Sequence, residues 1–171
     1  ARNAVLASDF PVTVPGTTIN RLCGSGLQAC NFAAQGVQSG HHTLVIGGGT
    51  ESMSRVTMGS DAGAFSEQIQ ERFDLVNQGI AAEFVAKKYQ LSREEIDQFS
   101  FESHQKAIAA DFSKEILPID GVTRDEGPRA DTSLEKIASL KPAFDENGVI
   151  TAANSSQISD GAAALLIASS D

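Results

Sequence analysis

The sequence predicts an α/β fold in which one α/β domain is interrupted by a second, mainly helical domain. The first 50 residues have the order strand, turn, helix, strand. From about residue 51 to residue 147 the charge density rises and helical patterns dominate, and a β pattern returns afterwards. We therefore expect residues 1–52 and 149–171 to form the α/β domain and residues 53–148 to form the insert.

The first 50 residues contain one strongly periodic helix. Residues 1–9 have the pattern of a short helix tail, and residues 11–21 are rich in β-branched residues between prolines. The apolar residues that share one face of the next helix, predicted over about 24–39, are Leu27, Cys30, Ala34 and Val37. A short strand over residues 43–46 then leads into three glycines. This order is typical of a βαβ unit whose strands are parallel.

The insert begins with two helices. The first is predicted over residues 79–89, with an apolar face formed by Ile80, Phe84 and Val85. The second begins at a capping box, in which Ser92 caps the helix and Glu95 follows in the first turn, and it continues to about Ala110. These signals make the middle of the chain mainly helical.

The rest of the insert mixes strand, loop and helix signals. Residues 112–120 predict a strand with a flanking turn, and Thr132 followed by Glu135 predicts a second capping box. Beyond the insert, residues 149–152 have a β pattern, and residues 161–168 form an apolar run that predicts a buried strand. We therefore expect the chain to return to the sheet of the first domain.

Composition and charge exclude several classes of protein. The chain has 171 residues, of which 41% are hydrophobic and 20% are charged, as in an ordinary globular protein. Its net charge of -9, from 13 basic and 22 acidic residues, argues against binding to nucleic acid or to an anionic membrane. The sequence has no apolar run near the length of a membrane-spanning helix and no signal-peptide pattern.

The two cysteines do not predict a disulfide. If residues 24–39 form a helix, Cys23 and Cys30 lie about 10 Å apart along its axis, which is too far for a bridge. Two cysteines are also too few for a disulfide framework. A reducing, cytoplasmic location is therefore expected.

Cys23 is the strongest candidate for a catalytic residue. It lies between a predicted strand and a predicted helix, beside Gly24 and Gly26. Unpaired N–H groups and the macrodipole at a helix N-terminus favour an anion, so a cysteine at such a position has a lowered pKa and more thiolate. The same N–H groups can stabilise an oxyanion on an attacked carbonyl, and small neighbours allow a bulky substrate to approach the sulfur. The alternative is a small buried residue at a tight turn.

Other kinds of site do not fit these residues. A phosphatase-type loop needs an arginine where this chain has Ala29, and a P-loop needs a lysine that neither glycine-rich segment contains. Cys30 lies on the apolar face of the helix and is expected to pack in the core. His41 and His42 follow the far end of that helix, so they are not placed to act as a base for Cys23. No cluster of His, Cys and acidic residues has metal-ligand spacing, so no metal site is predicted.

The residues around Cys23 resemble a known family. The segment VPGTTINRLCGSGLQACNFAAQGVQSG resembles the active-site segment of thiolases. The further blocks that resemble this family are GGGTESMSR, LSREEIDQFSFESHQKA, TSLEKIASLKPAF and TAANSSQISDGAAALL. The five blocks occur in the family's order and span nearly the whole chain, which makes the resemblance specific.

The resemblance implies a fold and a set of site residues. The fold is a partial thiolase N-terminal α/β domain, with a mixed sheet and a buried helix, and residues 53–148 correspond to the inserted loop domain that cradles coenzyme A. Cys23 matches the nucleophilic cysteine, whose backbone N–H helps to form an oxyanion hole. Ser156 matches a serine that contacts the pantetheine of coenzyme A, and Arg129 matches by spacing an arginine that lies beside the adenine. Acyl-CoA and coenzyme A are substrates in this family, and the resemblance implies no permanently bound cofactor.

The resemblance also implies a reaction and an assembly. Thiolases condense two acetyl-CoA to acetoacetyl-CoA, or cleave a 3-ketoacyl-CoA by thiolysis, through an acyl-enzyme on the cysteine. They are dimers or tetramers, so a homo-oligomer is expected for the full-length protein. The alternative is a non-catalytic thiolase-like protein that binds acyl-CoA or lipid and need not keep the nucleophile at Cys23.

The chain departs from thiolases in what it lacks. Thiolases are roughly twice as long, and their second half carries a general-base histidine in a Gly-His-Pro motif, an Asn-Glu-Ala-Phe segment and a second cysteine in a Cys-x-Gly motif. None of these motifs occurs in the 171 residues, and a first N-terminal segment of the family is missing as well. We therefore expect a fragment that is catalytically incomplete by itself.

Overall fold

The computed structural model describes residues 1–60 and 63–170, and the chain divides into two compact units. The first unit comprises Ala1–Ala62 and Ile158–Asp171, and the second unit comprises Gly63–Gln157. The second unit is therefore inserted in sequence between two parts of the first. No helix in the described part of the chain is both long and apolar enough to cross a membrane.

The first unit is a two-stranded sheet with a helix packed on it. Its elements in chain order are α1 (Arg2–Leu6), α2 (Ser25–Gln38), β1 (Leu44–Ser52) and β2 (Asp160–Ala168). The two strands pair antiparallel, with Leu44 opposite Ala168 and Ser52 opposite Asp160. The helix predicted over 24–39 and the strand predicted over 43–46 are both confirmed, and the strand continues through its three glycines.

Helix α2 packs on β1 through small residues. A Cβ placed on Gly47 would lie 3.0 Å from the Cα of Cys30, and one placed on Gly49 would lie 3.6 Å from the Cα of Gly26. At Gly47 the backbones of helix and strand therefore approach each other more closely than a side chain would ordinarily allow, whereas the contact at Gly49 is an ordinary van der Waals contact.

Two predictions about the strands are wrong. Residues 11–21 form turns and irregular backbone, with an isolated bridge between Arg21 and Cys23 in place of a strand, and Pro11 and Pro15 have no N–H groups to donate to a strand ladder. The pairing of β1 with β2 is antiparallel, whereas a parallel or mixed sheet was expected. A parallel pairing needed a strand before α2, and the described residues contain none there.

Burial in the first unit is lower than its apolar patterns predict. Helix α2 buries only Ala33, so it is not the buried helix expected. The run 161–168 does form a strand, but β2 is exposed apart from the half-buried Ile167. An apolar run is buried only where a layer covers it, and the helix over this sheet packs mainly against β1.

The second unit consists of helices joined by long loops. Its elements are α3 (Glu67–Arg72), α4 (Gln78–Tyr89), α5 (Arg93–Ala109) and α6 (Leu134–Ala138). Polar side chains cap three of these helices. The side-chain Oδ1 of Asn77 caps α4 by accepting from the Gly79 N–H at 2.8 Å, and Ser92 and Glu95 form the predicted capping box of α5.

The cap of α6 lies one residue later than predicted. Ser133 replaces Thr132 as the capping residue, and its hydroxyl accepts from the backbone N–H of Lys136 at 3.2 Å. Residues 112–120 form turns instead of the predicted strand. The end of this segment makes a tight turn in which Ile119 pairs with Val122, because Asp120 and the following glycine both adopt positive φ.

The described part of the second unit has a small core and buries the charged side chain of Asp97. Within α5, Arg93 Nε donates to this carboxylate at 2.8 Å, and Arg93 Nη2 ties α5 to α6 by donating to the carbonyl of Ile137 at 2.9 Å. The face predicted for α4 is wrong in part, since Phe84 and Val85 are exposed. The residues that α4 buries are Gly79 and Ala86.

Candidate active site

Cys23 lies in the turn that leads into helix α2. The helix begins at Ser25 with Gly24 as its N-cap, and the thiol is free and exposed. The first N–H groups of a helix have no intrahelical acceptor. Two of them are used by the turn, because Gly24 N donates to Arg21 O at 3.1 Å and Ser25 N donates to Leu22 O at 3.0 Å.

The remaining first-turn donors are the N–H groups of Gly26 and Leu27. They lie in the first turn of α2, where the positive end of the helix dipole also favours negative charge. A thiolate or an oxyanion beside Cys23 would therefore meet backbone donors and a favourable potential. In the described part of the chain, the Cys23 sulfur has no hydrogen-bond partner.

The turn is strained at the residue before the cysteine. Leu22 has a φ of 50°, in the left-handed region that leucine rarely adopts. Its N–H donates to Asn20 Oδ1 at 2.9 Å, and its carbonyl accepts from Ser25 Oγ at 2.7 Å. Such strain persists only where the surroundings hold it, and it is concentrated at functional sites.

Ser25 and Arg21 complete the support of this turn. The Ser25 hydroxyl accepts from the Arg21 N–H at 2.7 Å, so one side chain binds the backbone on both sides of Leu22. The Arg21 guanidinium donates to Gln28 Oε1 at 2.6 Å and thereby lies along the first turns of α2. Sequence reasoning missed these supporting residues, although the polar side chains flanking the cysteine were a signal for them.

Cys30, His41 and His42 lie in environments that differ from that of Cys23. Cys30 is half-buried at the contact of α2 with β1 and is a free thiol. His41 Nδ1 bonds Ser39 Oγ at 3.1 Å, and the ring of His42 lies against Gly36. Both histidines follow the C-terminal end of α2, whereas Cys23 precedes its N-terminal end.

Arg129 lies in an exposed loop of the second unit. Its backbone N–H donates to Nδ1 of His104 on α5 at 3.2 Å. The loop borders an open hollow of about 430 Å³. The residues that line this hollow are Arg124, Asp125, Glu126, Pro128, Arg129, Ala130 and Asp131. The guanidinium of Arg129 has no hydrogen-bond or ion-pair partner within the part of the second unit that the structure describes.

Ser156 is exposed and follows a tightly bonded segment. Thr151 is fully buried, its N–H donates to Asn154 Oδ1 at 2.9 Å, and its carbonyl accepts from Ser155 Oγ at 2.6 Å. Upstream, the Glu83 carboxylate accepts from two backbone N–H groups, those of residues 149 and 150, at 2.9 and 2.8 Å. These contacts fix the backbone that leads to Ser156.

The predicted site residues are divided between the units. Ser156 and Arg129 belong to the second unit, and Cys23 belongs to the first. Within the second unit, Gln157 Nε2 donates to the Gly127 carbonyl at 2.7 Å and so joins the segment of Ser156 to the loop of Arg129. Among residues 1–60 and 63–170, no group of three or more His, Cys, Asp or Glu side chains is arranged to hold a metal ion.

The whole chain is similar to proteins of one known family. The family model described as "Thiolase, N-terminal domain" matches residues 1–171. The human "3-ketoacyl-CoA thiolase, peroxisomal" is 42% identical over 188 residues, covering 98% of this chain and 44% of that protein. The "Acetyl-CoA acetyltransferase" of Pseudomonas aeruginosa is 40% identical over 196 residues, covering 99% of this chain and 50% of that protein.

The chain is also similar to a thiolase of known structure. The crystal structure of the dimeric peroxisomal thiolase of Saccharomyces cerevisiae matches with a TM-score of 0.88 and 37% identity. The match covers 98% of this chain and 47% of that chain. The chain described here therefore spans about half the length of the relatives it matches.

Proposed function

The chain belongs to the thiolase family, and from this premise we propose that it is part of an acyltransferase that uses Cys23 as its nucleophile. The proposed reaction is the condensation of two acetyl-CoA to acetoacetyl-CoA, or the thiolytic cleavage of a 3-ketoacyl-CoA. The observation that carries the proposal is an exposed thiol on a strained turn, directly before the N-terminus of α2. A nucleophile needs access to substrate and donors for the oxyanion, and this position supplies both.

The chemistry of cleavage assigns one role to Cys23. Its thiolate attacks the 3-keto carbon, and the bond between the second and third carbons breaks with its electron pair going to the second carbon. That carbon takes a proton and leaves as acetyl-CoA, while the shortened acyl group stays on the sulfur. The thiolate of free coenzyme A then attacks the acyl-enzyme, forms a new thioester and releases Cys23. The resemblance assigns the proton transfers to the histidine and second cysteine in the other half of thiolases.

The second unit, Gly63–Gln157, is proposed to hold coenzyme A, with Ser156 in contact with the pantetheine and Arg129 beside the adenine. The proposed domain bounds differ from those of the compact units: residues 53–148 are the inserted loop domain, and residues 1–52 and 149–171, which include Ser156, belong to the α/β domain. The exposed Ser156 hydroxyl, the unpaired guanidinium of Arg129 and the open hollow beside it support this assignment. The net charge of -9 is compatible with a polyanionic ligand, because binding depends on local groups.

The complete protein is proposed to be a cytoplasmic homo-oligomer, a dimer or a tetramer. The similar yeast thiolase is described as dimeric, and the human relative is named as peroxisomal. Leu165 and Leu166 on β2 are 60% and 67% exposed, and such an apolar strand is favourable for association. Light scattering on the full-length protein tests this part of the proposal, and a monomer would contradict it.

Acyl transfer from substrate tests the role of Cys23. The 171-residue chain is incubated with acetyl-CoA, and its peptides are examined by mass spectrometry under conditions that preserve thioesters. We expect one acetyl group on the peptide that contains Cys23. The Cys30→Ala variant should be acetylated in the same way, and the Cys23→Ala variant should not be acetylated at all.

Alkylation of the cysteines shows how an absence of acetylation at Cys23 is to be interpreted. Iodoacetamide at neutral pH should modify Cys23 before Cys30, because Cys23 is exposed and Cys30 is half-buried. A chain that is alkylated at Cys23 and binds coenzyme A without becoming acetylated would favour the non-catalytic binding protein. Turnover of acetoacetyl-CoA by the 171-residue chain is expected to be negligible, and measurable cleavage would contradict the view that it is catalytically incomplete.

A further inference from the structure

Gln157 links two segments that are far apart in the sequence of the second unit. Its Nε2 donates to the carbonyl oxygen of Gly127 at 2.7 Å. A Cβ placed on Gly127 would lie 2.8 Å from Gln157 Oε1 and 3.3 Å from Gln157 Nε2. The amide group therefore occupies the space beside Gly127 that a larger residue would fill.

On one side of this link the backbone is held by several hydrogen bonds. Ser156 is the residue directly before Gln157, and Ser155 is bonded to the carbonyl of the fully buried Thr151. The Glu83 carboxylate holds the start of the same segment through two backbone N–H groups. Movement of Ser156 is therefore limited by a chain of hydrogen bonds that begins on helix α4.

On the other side of the link is the loop of Arg129. Gly127 lies two residues before Arg129, and its own N–H donates to Asp125 Oδ1 at 2.8 Å. The backbone N–H of Arg129 donates to His104 Nδ1 at 3.2 Å. These bonds shape the loop and attach it to α5, whereas the Gln157 bond attaches it to the segment of Ser156.

We propose that Gln157 is a positioning residue that couples Ser156 to Arg129, so that the two ends of a coenzyme A molecule are held at a fixed spacing. This inference rests on the proposed function. Two protein groups that contact one ligand can be fixed relative to each other. Once the ligand has bound the first group, its contact with the second forms within the same complex. The second contact then costs less entropy than it would from a free loop. Gln157 need not touch the ligand for this effect.

Two variants remove the link in different ways. Gln157→Ala deletes the donor, and Gly127→Ala places a methyl group where the amide of Gln157 lies. Gln98→Ala is the matched control, because Gln98 is an exposed glutamine of the same unit whose amide, among the described residues, bonds Glu102 on its own helix at 2.7 Å and no other element. All variants are made in the 171-residue chain.

The first measurement is amide hydrogen exchange of residues 125–131. We expect faster exchange in these residues for Gln157→Ala and Gly127→Ala, with unchanged exchange in α5 and in Gln98→Ala. Exchange in residues 125–131 that is unchanged in both link variants would overturn the proposal. Faster exchange throughout the second unit would do so as well, because it would indicate a general structural role.

The second measurement is the dissociation constant of coenzyme A by titration calorimetry. Loss of one hydrogen bond predicts binding that is weaker by about fivefold in Gln157→Ala. The effects of Ser156→Ala and Arg129→Ala should depend on each other in the unchanged chain and become additive in Gln157→Ala. Unchanged affinity or unchanged coupling in Gln157→Ala would overturn this inference alone. Absence of coenzyme A binding in the unchanged chain would overturn the proposed function and the inference with it.

Discussion

The backbone of Gly47 on β1 lies directly against the backbone of Cys30 on α2. A Cβ on Gly47 would lie 3.0 Å from the Cys30 Cα, 3.2 Å from the Cys30 nitrogen and 3.2 Å from the carbonyl oxygen of Ala29. This contact sets the distance between the helix that begins beside Cys23 and the sheet that supports it. The absence of a side chain at Gly47 therefore helps to determine where the candidate nucleophile lies.

Gly47→Ala should destabilise the first unit. The added methyl group meets backbone atoms, which cannot move aside as a flexible side chain can, so helix and strand must separate. Such overpacking costs about 1–3 kcal/mol, and we expect a loss of that size in the free energy of unfolding measured with urea. Gly161→Ala on β2 is the control, because nothing lies within 4 Å of a Cβ at that position. Equal stability of the two variants would show that the contact is not tight.

The elements that could be predicted from the sequence are those that depend on local patterns. Helix α2 and the capping box at Ser92 each depend on residues that are close together in the sequence, and both are present in the structure. The burial of β2 and the face of α4 depend on what packs against them, which no local pattern specifies. The sequence of residues 11–21 favours a strand, but a strand also needs a partner, and in the described chain this segment forms only the isolated bridge between Arg21 and Cys23.

The candidate site was predictable to a similar extent. Cys23 could be found from its position between a β-rich segment and a helix, and Ser156 and Arg129 came only from the family resemblance. The positive φ of Leu22 could not be anticipated, because leucine does not favour it. The bond between Gln157 and Gly127 joins residues 30 positions apart, so it becomes visible only in the folded chain.

Glu83→Gln should weaken the anchoring of the segment that leads to Ser156. The carboxylate accepts from the N–H groups of Val149 and Ile150 through its two oxygens. An amide has only one oxygen, so its NH₂ group would face the second N–H and leave that donor unpaired. A buried unpaired donor costs about 1–3 kcal/mol, and we expect this loss in urea-induced unfolding of the second unit.

Glu146→Gln provides the comparison for this change. Glu146 is an exposed acidic residue of the same region, and its neutralisation should alter stability by less than about 0.5 kcal/mol. If both variants unfold at the same urea concentration, the two hydrogen bonds that Glu83 accepts do not contribute to the stability of the second unit.

Protonation of Asp160 should loosen the end of the strand pair. The Ser54 hydroxyl and the Ser54 backbone N–H both bond this carboxylate, at 2.5 and 2.9 Å, and they lower the pKa of Asp160 from its usual 3.8. Because the pKa is lower in the folded state, the stabilisation is fully present above the unfolded pKa. It is lost as the pH falls through the lower folded value.

The measurement for Asp160 is a carboxyl titration by NMR together with unfolding at a series of pH values. We expect the Asp160 carboxyl to titrate below its usual value of 3.8. Asp160→Asn should reduce the pH dependence of stability in that acidic range. A normal titration of Asp160 would show that the bonds from Ser54 do not favour its charged form.

Leu22→Gly should stabilise the turn that carries Cys23, in contrast to most changes of leucine to glycine. Leucine in the left-handed region costs about 1–2 kcal/mol, and glycine adopts this conformation freely. The side chain of Leu22 is 68% exposed, so little packing is lost when it is removed. Leu27→Gly is the matched control, because Leu27 is 71% exposed but lies within α2, where glycine costs about 1 kcal/mol. We therefore expect the midpoint of thermal unfolding to rise for the first variant and fall for the second. A fall for both would mean that the positive φ of Leu22 is not a source of strain, and the strained turn would then no longer support a functional role for Cys23.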